Sequence, residues 1–210
     1  PLAGTGRSGL EKKPMPSIRY SLRKQRRALT QQAQSTAADA LYKQLIEQTW
    51  FQRASDIGFY WPTDGEISPL VTLNWCLDNN KNCYLPIMNV NPQADTPALF
   101  FQPYQASTKL NLNRVEILEP SLSEASAVEA MHLQLIIVPM VGFTRKGFRL
   151  GMGGGYYDRV LAQPVPGQPK PLLVGVSHSC QESQFPVQSW DVAMDFIVTE
   201  LEIITPLQVD

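Results

Sequence analysis

The most apolar run in the chain, LQLIIVPMVGF (Leu133 to Phe143), passes almost directly into RKGFRLGMGGGYYDRVL (Arg145 to Leu161). A continuous apolar run bounded by glycines reads as a strand buried on both faces. The segment after it holds Gly147, Gly151, Gly153, Gly154 and Gly155, five of the 13 glycines. Tyr156, Tyr157, Asp158 and Arg159 follow at once, then Val160 and Leu161. The order is buried strand, glycine loop, start of an amphipathic helix, and it restricts the chain to a fold in which strands and helices alternate. Glycines admit positive φ and keep side chains away from a ligand. Successive N–H groups ending at a helix start form a concavity that attracts anions. Arg145, Lys146 and Arg149 bring cations to the same place. An anionic ligand, most simply a polyphosphate, suits this loop. A plain connector needs only one or two glycines.

The loop matches neither common phosphate fingerprint. Counting from Gly151, GxGxxG would need glycine where Tyr156 stands, and no Gly-Lys-Ser/Thr occurs anywhere. Nucleophilic catalysis has little support, since no GxSxG is present. His132 and His178 are the only histidines and form no HxxH or HExxH pair. Each reads as a surface or satisfied polar residue.

Elsewhere the periodicity predicts helices over Ser17–Leu29, Thr30–Arg53 and Ser121–Met131. Another begins at Ser68-Pro69 and stops near Asn79-Asn80, and one runs over Gly153–Ala162. Strands are expected at Ser55–Trp61, Asn82–Met88, Ala98–Tyr104, Leu133–Met140, Leu172–Ser177 and Phe196–Thr199. Pro103 suggests that its strand lies at an edge. Residues 105–120 read as irregular, and the proline-rich stretch Gln163–Pro171 as a surface connection. The expected architecture is α/β. It has three layers, with a largely parallel central sheet, flanking helices and an open, Rossmann-like order.

At 210 residues this is one domain, expected over 15–210. PLAGTGRSGLEKK at the start has no apolar signal core. Residues 1–14 read as a remnant of expression or a disordered tail, with Met15 the expected native start. The net charge of −1 argues against general nucleic-acid binding. Cations crowd the first 30 residues, however: Arg7, Lys12, Lys13, Arg19, Arg23, Lys24, Arg26 and Arg27 stand against Glu11 alone. Arg19, Arg23, Arg26 and Arg27 cluster on one helix face, where Arg19 and Arg23 could close over phosphates opposite the loop. Cys76, Cys83 and Cys180 lack metal-type spacing and point to a reduced, cytoplasmic protein. No stretch approaches the ~20 apolar residues of a membrane span.

A polyphosphate usually arrives with Mg²⁺, which takes one or two carboxylates together with phosphate oxygens. Asp158, in the first turn of the loop's helix, is the first candidate, although an acid there also favours the helix dipole. Asp191 and Asp195 are both possible partners by spacing. Asp64 and Glu66 follow the first strand, where ligands of α/β proteins collect. The aromatic residues Tyr60, Trp61, Phe143, Tyr156 and Tyr157 could line a slot for a flat heterocycle or belong to the core.

Several of these segments occur together elsewhere. SLRKQRR (Ser21–Arg27), GEI (Gly65–Ile67), YLP (Tyr84–Pro86), VPMVGF (Val138–Phe143), RLGMGGGYYDR (Arg149–Arg159) and WDVAMDFIVTE (Trp190–Glu200) resemble, in this order, the 5-formyltetrahydrofolate cyclo-ligase (methenyltetrahydrofolate synthetase) family. The resemblance spans Ile18 to Thr199, and RLGMGGGYYDR is its most specific part. It implies ATP- and Mg²⁺-dependent closure of 5-formyltetrahydrofolate to 5,10-methenyltetrahydrofolate, with release of ADP and phosphate. The formyl oxygen is phosphorylated first, nitrogen 10 attacks the activated carbon, and phosphate leaves. By the same resemblance ATP contacts fall on Arg19, Arg23, Arg149, Leu150, Gly151, Met152, Gly153, Gly154, Gly155, Tyr156 and Tyr157. Met152 to Tyr156 also face the folate, with Trp61 and Glu66. Asp158 and Asp191 become the metal ligands, and Arg149 the residue that stabilises charge in catalysis. The family commonly has an acid and then threonine two and three places after the glutamate, whereas Ser68 and Pro69 stand here. The implied protein is a cytoplasmic monomer with no nucleic-acid or membrane partner. Two alternatives remain: a paralogue acting on another substrate, or a non-catalytic nucleotide- or folate-binding protein. Asp158 and Arg149 argue against the binder.

Overall fold

A computed structural model of the chain describes residues 17–89, 98–123, 125–162 and 169–207. Residues 1–16, which include the expected tail, lie outside it, as does most of the proline-rich connection. The elements run in the order α1 (Ile18–Arg27), α2 (Gln31–Ile46), α3 (Thr49–Arg53), β1 (Asp56–Gly58), α4 (Leu70–Asp78), β2 (Asn82–Asn89), β3 (Ala98–Tyr104), β4 (Leu110–Leu112), β5 (Leu118–Pro120), β6 (Val128–Glu129), β7 (Leu135–Pro139), β8 (Gly142–Phe143), β9 (Arg149–Leu150), α5 (Tyr156–Leu161), β10 (Leu172–Val176), β11 (Phe196–Val198) and β12 (Ile203–Ile204).

Eight strands form one sheet in the order β12-β11-β10-β7-β1-β2-β3-β6. The five inner strands from β11 to β2 are parallel, and the antiparallel pairings fall at the two sides. Successive residues of β7 serve opposite faces. Leu135 and Ile137 join a core with Leu41 and Leu45 of α2, Phe51 of α3 and Leu73 of α4. Ile136 and Val138 join a second core with Leu161 of α5, Met131, Met140 and Ile197. The expected three-layer, largely parallel α/β fold is therefore present. Chain order reverses between β1 and β7, whose neighbours lie on opposite sides, so the crevice for a ligand opens at their carboxyl ends.

Several local expectations change. The helix expected over Thr30–Arg53 breaks at Gln48, which is extended. The break stacks Trp50 on Phe196, with ring centroids 4.7 Å apart, and buries Phe51 completely. Pro69, rather than Ser68, precedes the first residue of α4. The helix expected over Ser121–Met131 does not form. Val128 instead pairs with Phe101 as the outermost strand β6, and Ala130–His132 makes one 3₁₀ turn that buries Ala130 and Met131. Burial of these residues against the sheet outweighs a weak local helix preference. With β6 outside it, β3 is not an edge strand, although β6 stops short of Pro103. Residues 110–120, read as irregular, pair as the hairpin β4–β5.

α1 lies across the carboxyl end of the sheet. Leu22 packs on Val141 and Leu150, flanked by Ile18 and Phe185. Gly142 permits this approach, because a Cβ there would sit 2.6 Å from the Leu22 Cδ1.

Candidate active site

A cleft of about 1000 Å³ opens where α1, the carboxyl ends of β1, β2 and β7, the glycine loop and the β4–β5 hairpin meet. Every residue that the family resemblance assigned to ligand or metal lines it: Arg19, Arg23, Trp61, Glu66, the run from Arg149 to Asp158, and Asp191. Arg145 and Lys146, expected to bring charge to the loop, do not line it. Arg145 pairs with Glu182 and Glu202 instead, and Phe143 is buried in the core. Asp195 does not line the cleft. Its backbone and Oδ2 are hydrogen-bonded to Leu173, closing the register of β10 against β11.

The glycine loop is open and shaped by positive φ. Gly155, at +64°, turns the chain into α5, and Gly153 lies at +102°. A Cβ on Gly153 would meet nothing within 4 Å, so that backbone faces free space. The helix expected from Gly153 starts only at Tyr156, because the glycines supply the turn before it. Arg19 crosses from α1 and donates from Nε to the Gly151 carbonyl at 2.9 Å, tying the basic helix to the loop.

Arg149 is nearly buried on β9. One guanidinium nitrogen donates to Asp158 Oδ1 at 2.5 Å, and the group lies 5.6 Å from the centroid of the Tyr157 ring. Its Nε is buried and has no partner among the described residues. Burial raises the Tyr157 hydroxyl well above its ordinary range, so the ring stays neutral beside this cation. A buried donor without a partner costs free energy unless a ligand completes it. The donor set fits a polyphosphate. Among the described residues no three His, Cys, Asp or Glu side chains gather. Asp158 and Asp191 on one cleft still fit Mg²⁺, which needs only one or two carboxylates beside phosphate oxygens.

Around the other end of α1 lies a network that periodicity alone did not expose. Asp64, at φ +53°, accepts from Arg23 Nε at 2.7 Å, from Arg26 at 2.9 Å and from Arg27. Arg26, expected on the solvent-facing cationic side, is fully buried. It also donates to the carbonyls of Asp64 at 2.8 Å and Met140 at 3.3 Å, and lies 3.6 Å from Glu66 Oε1. The hint was in the sequence: Arg26 falls four residues after Leu22, on the apolar side of the helix.

The two acids of this loop titrate in opposite senses. Burial pushes the Glu66 carboxyl from 4.5 up to about 7, against the pull of Arg26 and the Thr63 amide. Burial also disfavours the Asp64 charge, but Arg23, Arg27 and Arg26 together outweigh it and hold the carboxyl at about 2. For Glu66 the folded state binds the proton more tightly than the unfolded one. Its contribution to stability is therefore lost as pH rises from 4.5 through about 7. The contribution of Asp64 is present above 3.8 and lost as pH falls toward about 2. Between about pH 5 and 7.5 ionisation of Glu66 lowers the melting temperature, while buried His178, held neutral, works in the opposite direction. Glu66→Gln is expected to remove the part of any decline that Glu66 causes. An equally steep decline in the variant assigns it to another group.

His132 is exposed, and His178 is buried as the cap of a 3₁₀ turn, its ring accepting from the Gln181 amide. Burial holds His178 below its ordinary pKa, hence neutral. Neither histidine lines the cleft. Two walls of the cleft went unread in the sequence: the hairpin, with Val115, Ile117 and Glu119, and Trp190, which is 65 % exposed beside Asp191. The alternation in LNL and ILE around Asn113-Arg114 was the available sign of the hairpin.

The architecture is that of an α/β protein with an open, positive-φ glycine loop at the switch point of its sheet. Comparison with known proteins narrows it. Residues 11–200 match the 5-formyltetrahydrofolate cyclo-ligase family, and the chain belongs to that family. It is 34% identical to the 5-formyltetrahydrofolate cyclo-ligase of Haemophilus influenzae, over 84% of this chain and 92% of that one. It is 31% identical to the enzyme of the same name from Escherichia coli K12, over 87% and 98%. A solved 5,10-methenyltetrahydrofolate synthetase from Aquifex aeolicus superposes with a TM-score of 0.75 at 25% identity, covering 92% of this chain and 93% of its own. Among the described residues no helix is long and apolar enough to cross a membrane.

Proposed function

We propose that the protein is an ATP-dependent ligase that closes 5-formyltetrahydrofolate to 5,10-methenyltetrahydrofolate, releasing ADP and phosphate. One observation carries the reading: the glycine loop, Arg19, Arg23 and Arg27 of α1, the Arg149–Asp158 pair and the near-neutral Glu66 all face one cleft at the carboxyl end of the sheet. No cysteine lines the cleft and no nucleophilic triad is built into it, so the chemistry rests on positioning and charge.

ATP lies along Arg149 to Tyr157, with its phosphates against the loop amides. Arg19 and Arg23 approach from α1, and among the described residues Arg23 keeps two guanidinium nitrogens unbonded while Asp64 holds its Nε. Asp158 and Asp191 are the residues that would hold Mg²⁺, which would supply positive charge to the phosphate oxygens. The formyl oxygen attacks that phosphoryl group, and the bond to the ADP oxygen breaks. Nitrogen 10 then attacks the formyl carbon, loses its proton, and the phosphate departs with the former formyl oxygen. Arg149, short of one partner at Nε, stabilises charge as it develops. The folate occupies Trp61, Glu66 and the cleft side of Met152 to Tyr156. Glu66 can exchange a proton near neutral pH and serves the substrate end. Ser68 lies outside this cleft, so its departure from the family's usual residue leaves the proposed contacts in place. The enzyme works as a cytoplasmic monomer without a nucleic-acid partner.

Incubation with 5-formyltetrahydrofolate, Mg²⁺ and ATP tests the reading. The methenyl product absorbs near the ultraviolet–visible boundary, and it is expected only when ATP is present. Tight ATP binding with no product would instead favour a paralogue or a binder.

A further inference from the structure

The hairpin over the cleft carries a cation that neither the loop nor α1 accounts for. Arg114 sits at the tip between β4 and β5, and it donates to the Tyr156 hydroxyl at 2.8 Å. The tip is rigidly built. Asn113 Oδ1 accepts from the Val115 and Ile117 amides, both at 3.0 Å, and Glu116 takes positive φ to close the turn. Glu119 ties the hairpin down, accepting from Asn113 Nδ2 at 2.9 Å and from the Met88 amide at 3.2 Å. The position of Arg114 is thus set by the fold rather than by a mobile loop.

The other arginines in and around the cleft divide into two groups. Arg23, Arg26 and Arg27 share Asp64, and Arg149 holds Asp158. Arg19 and Arg159 donate to the carbonyls of Gly151 and Gly154, which shapes the loop. Arg114 has no carboxylate partner among the described residues and bonds only a neutral hydroxyl. Inward from it, Ile117 and Leu118 of the hairpin face Pro86, Met88 and Leu99 of the sheet, which makes an apolar slot. Arg114 itself stands just outside the cleft lining, between Asn113 and Val115 and on the hydroxyl of Tyr156, which do line it. A ligand whose flat rings enter that slot, and whose anionic outer end leaves the cleft past Tyr156, therefore reaches Arg114.

A folate has that shape, and its glutamyl end carries its only two carboxylates. We propose that Arg114, positioned by Tyr156, binds a carboxylate of the glutamyl end of the substrate. The assignment rests on the folate reading above. A guanidinium fixed at a rim recognises a carboxylate through charge-assisted hydrogen bonds, which outlast solvent screening better than a bare charge does.

The test compares 5-formyltetrahydrofolate with its analogue in which both glutamyl carboxylates are carboxamides, on the unaltered enzyme and on Arg114→Ala and Arg114→Gln. The unaltered enzyme is expected to show KM about tenfold higher for the diamide. Arg114→Ala is expected to raise KM for the acid about tenfold, leave KM for the diamide nearly unchanged, and leave kcat and KM for ATP unchanged. Arg114→Gln keeps a donor for Tyr156 and loses the charge, and it should match the alanine variant. If either variant treats acid and diamide with the same preference as the unaltered enzyme, Arg114 does not read a carboxylate, and the folate reading survives. If the unaltered enzyme forms no methenyl product from the acid, the folate reading falls and this assignment with it.

Discussion

Asp158→Asn is expected to lower turnover on the order of a hundredfold and to raise the Mg²⁺ concentration needed for half-maximal rate. The substitution keeps the shape of the side chain, and its amide oxygen can still accept from Arg149, whose guanidinium donates to Oδ1 at 2.5 Å. Folding should therefore be little affected. The charge that balances Arg149 and faces the cleft is lost. Arg149 then becomes an almost buried cation with no opposite charge paired to it among the described residues. Binding of ATP without metal should hold or tighten, because an uncompensated cation attracts phosphate, while the metal-dependent rate collapses. Turnover measured across a Mg²⁺ titration, with nucleotide binding measured in EDTA, separates the two effects. An unchanged Mg²⁺ dependence would remove Asp158 from the metal site. A parallel loss of metal-free ATP binding would mean that the side chain merely supports the loop.

Arg26→Met is expected to cost about 3–5 kcal/mol, because it breaks a buried ion pair from one side. The fully buried guanidinium serves the Asp64 carboxylate, the Asp64 carbonyl and the Met140 carbonyl. Methionine fills much of the volume but satisfies none of these oxygens. For a domain of this size the melting temperature should fall by about 10 °C. Arg27→Met removes a half-exposed partner of the same carboxylate and is expected to cost under about 1 kcal/mol. Similar melting temperatures for the two variants would show that the buried arginine does not anchor the loop from Asp64 to Glu66. The contrast matters for function, because that loop joins α1 to the sheet end and carries Glu66 into the cleft.

Much of the fold and site could be read from local pattern. The run from Leu133 to Met140 could only be a two-faced buried strand, and it became β7 with its side chains divided between two cores. The glycines before Tyr156 required a turn with positive φ, which Gly153 and Gly155 adopt. Both properties belong to short stretches of chain, where steric freedom and apolar content act without help from distant residues.

The sequence by itself determined the layered α/β plan, the glycine loop with its positive-φ turn and the residue types around it. Tertiary structure decided the rest. It chose Asp191 over Asp195 for the cleft by tying the latter to Leu173. It sent Arg26 inward and left Arg19, Arg23 and Arg27 partly in solvent. It turned the supposed helix over Ser121–Met131 into the outermost strand and a 3₁₀ turn, and folded the stretch before it into a hairpin above the cleft. The physical reason is common to these cases. Their outcome depends on burial and on charge partners dozens of residues away in sequence, and those energies exceed the local preferences that a linear reading measures.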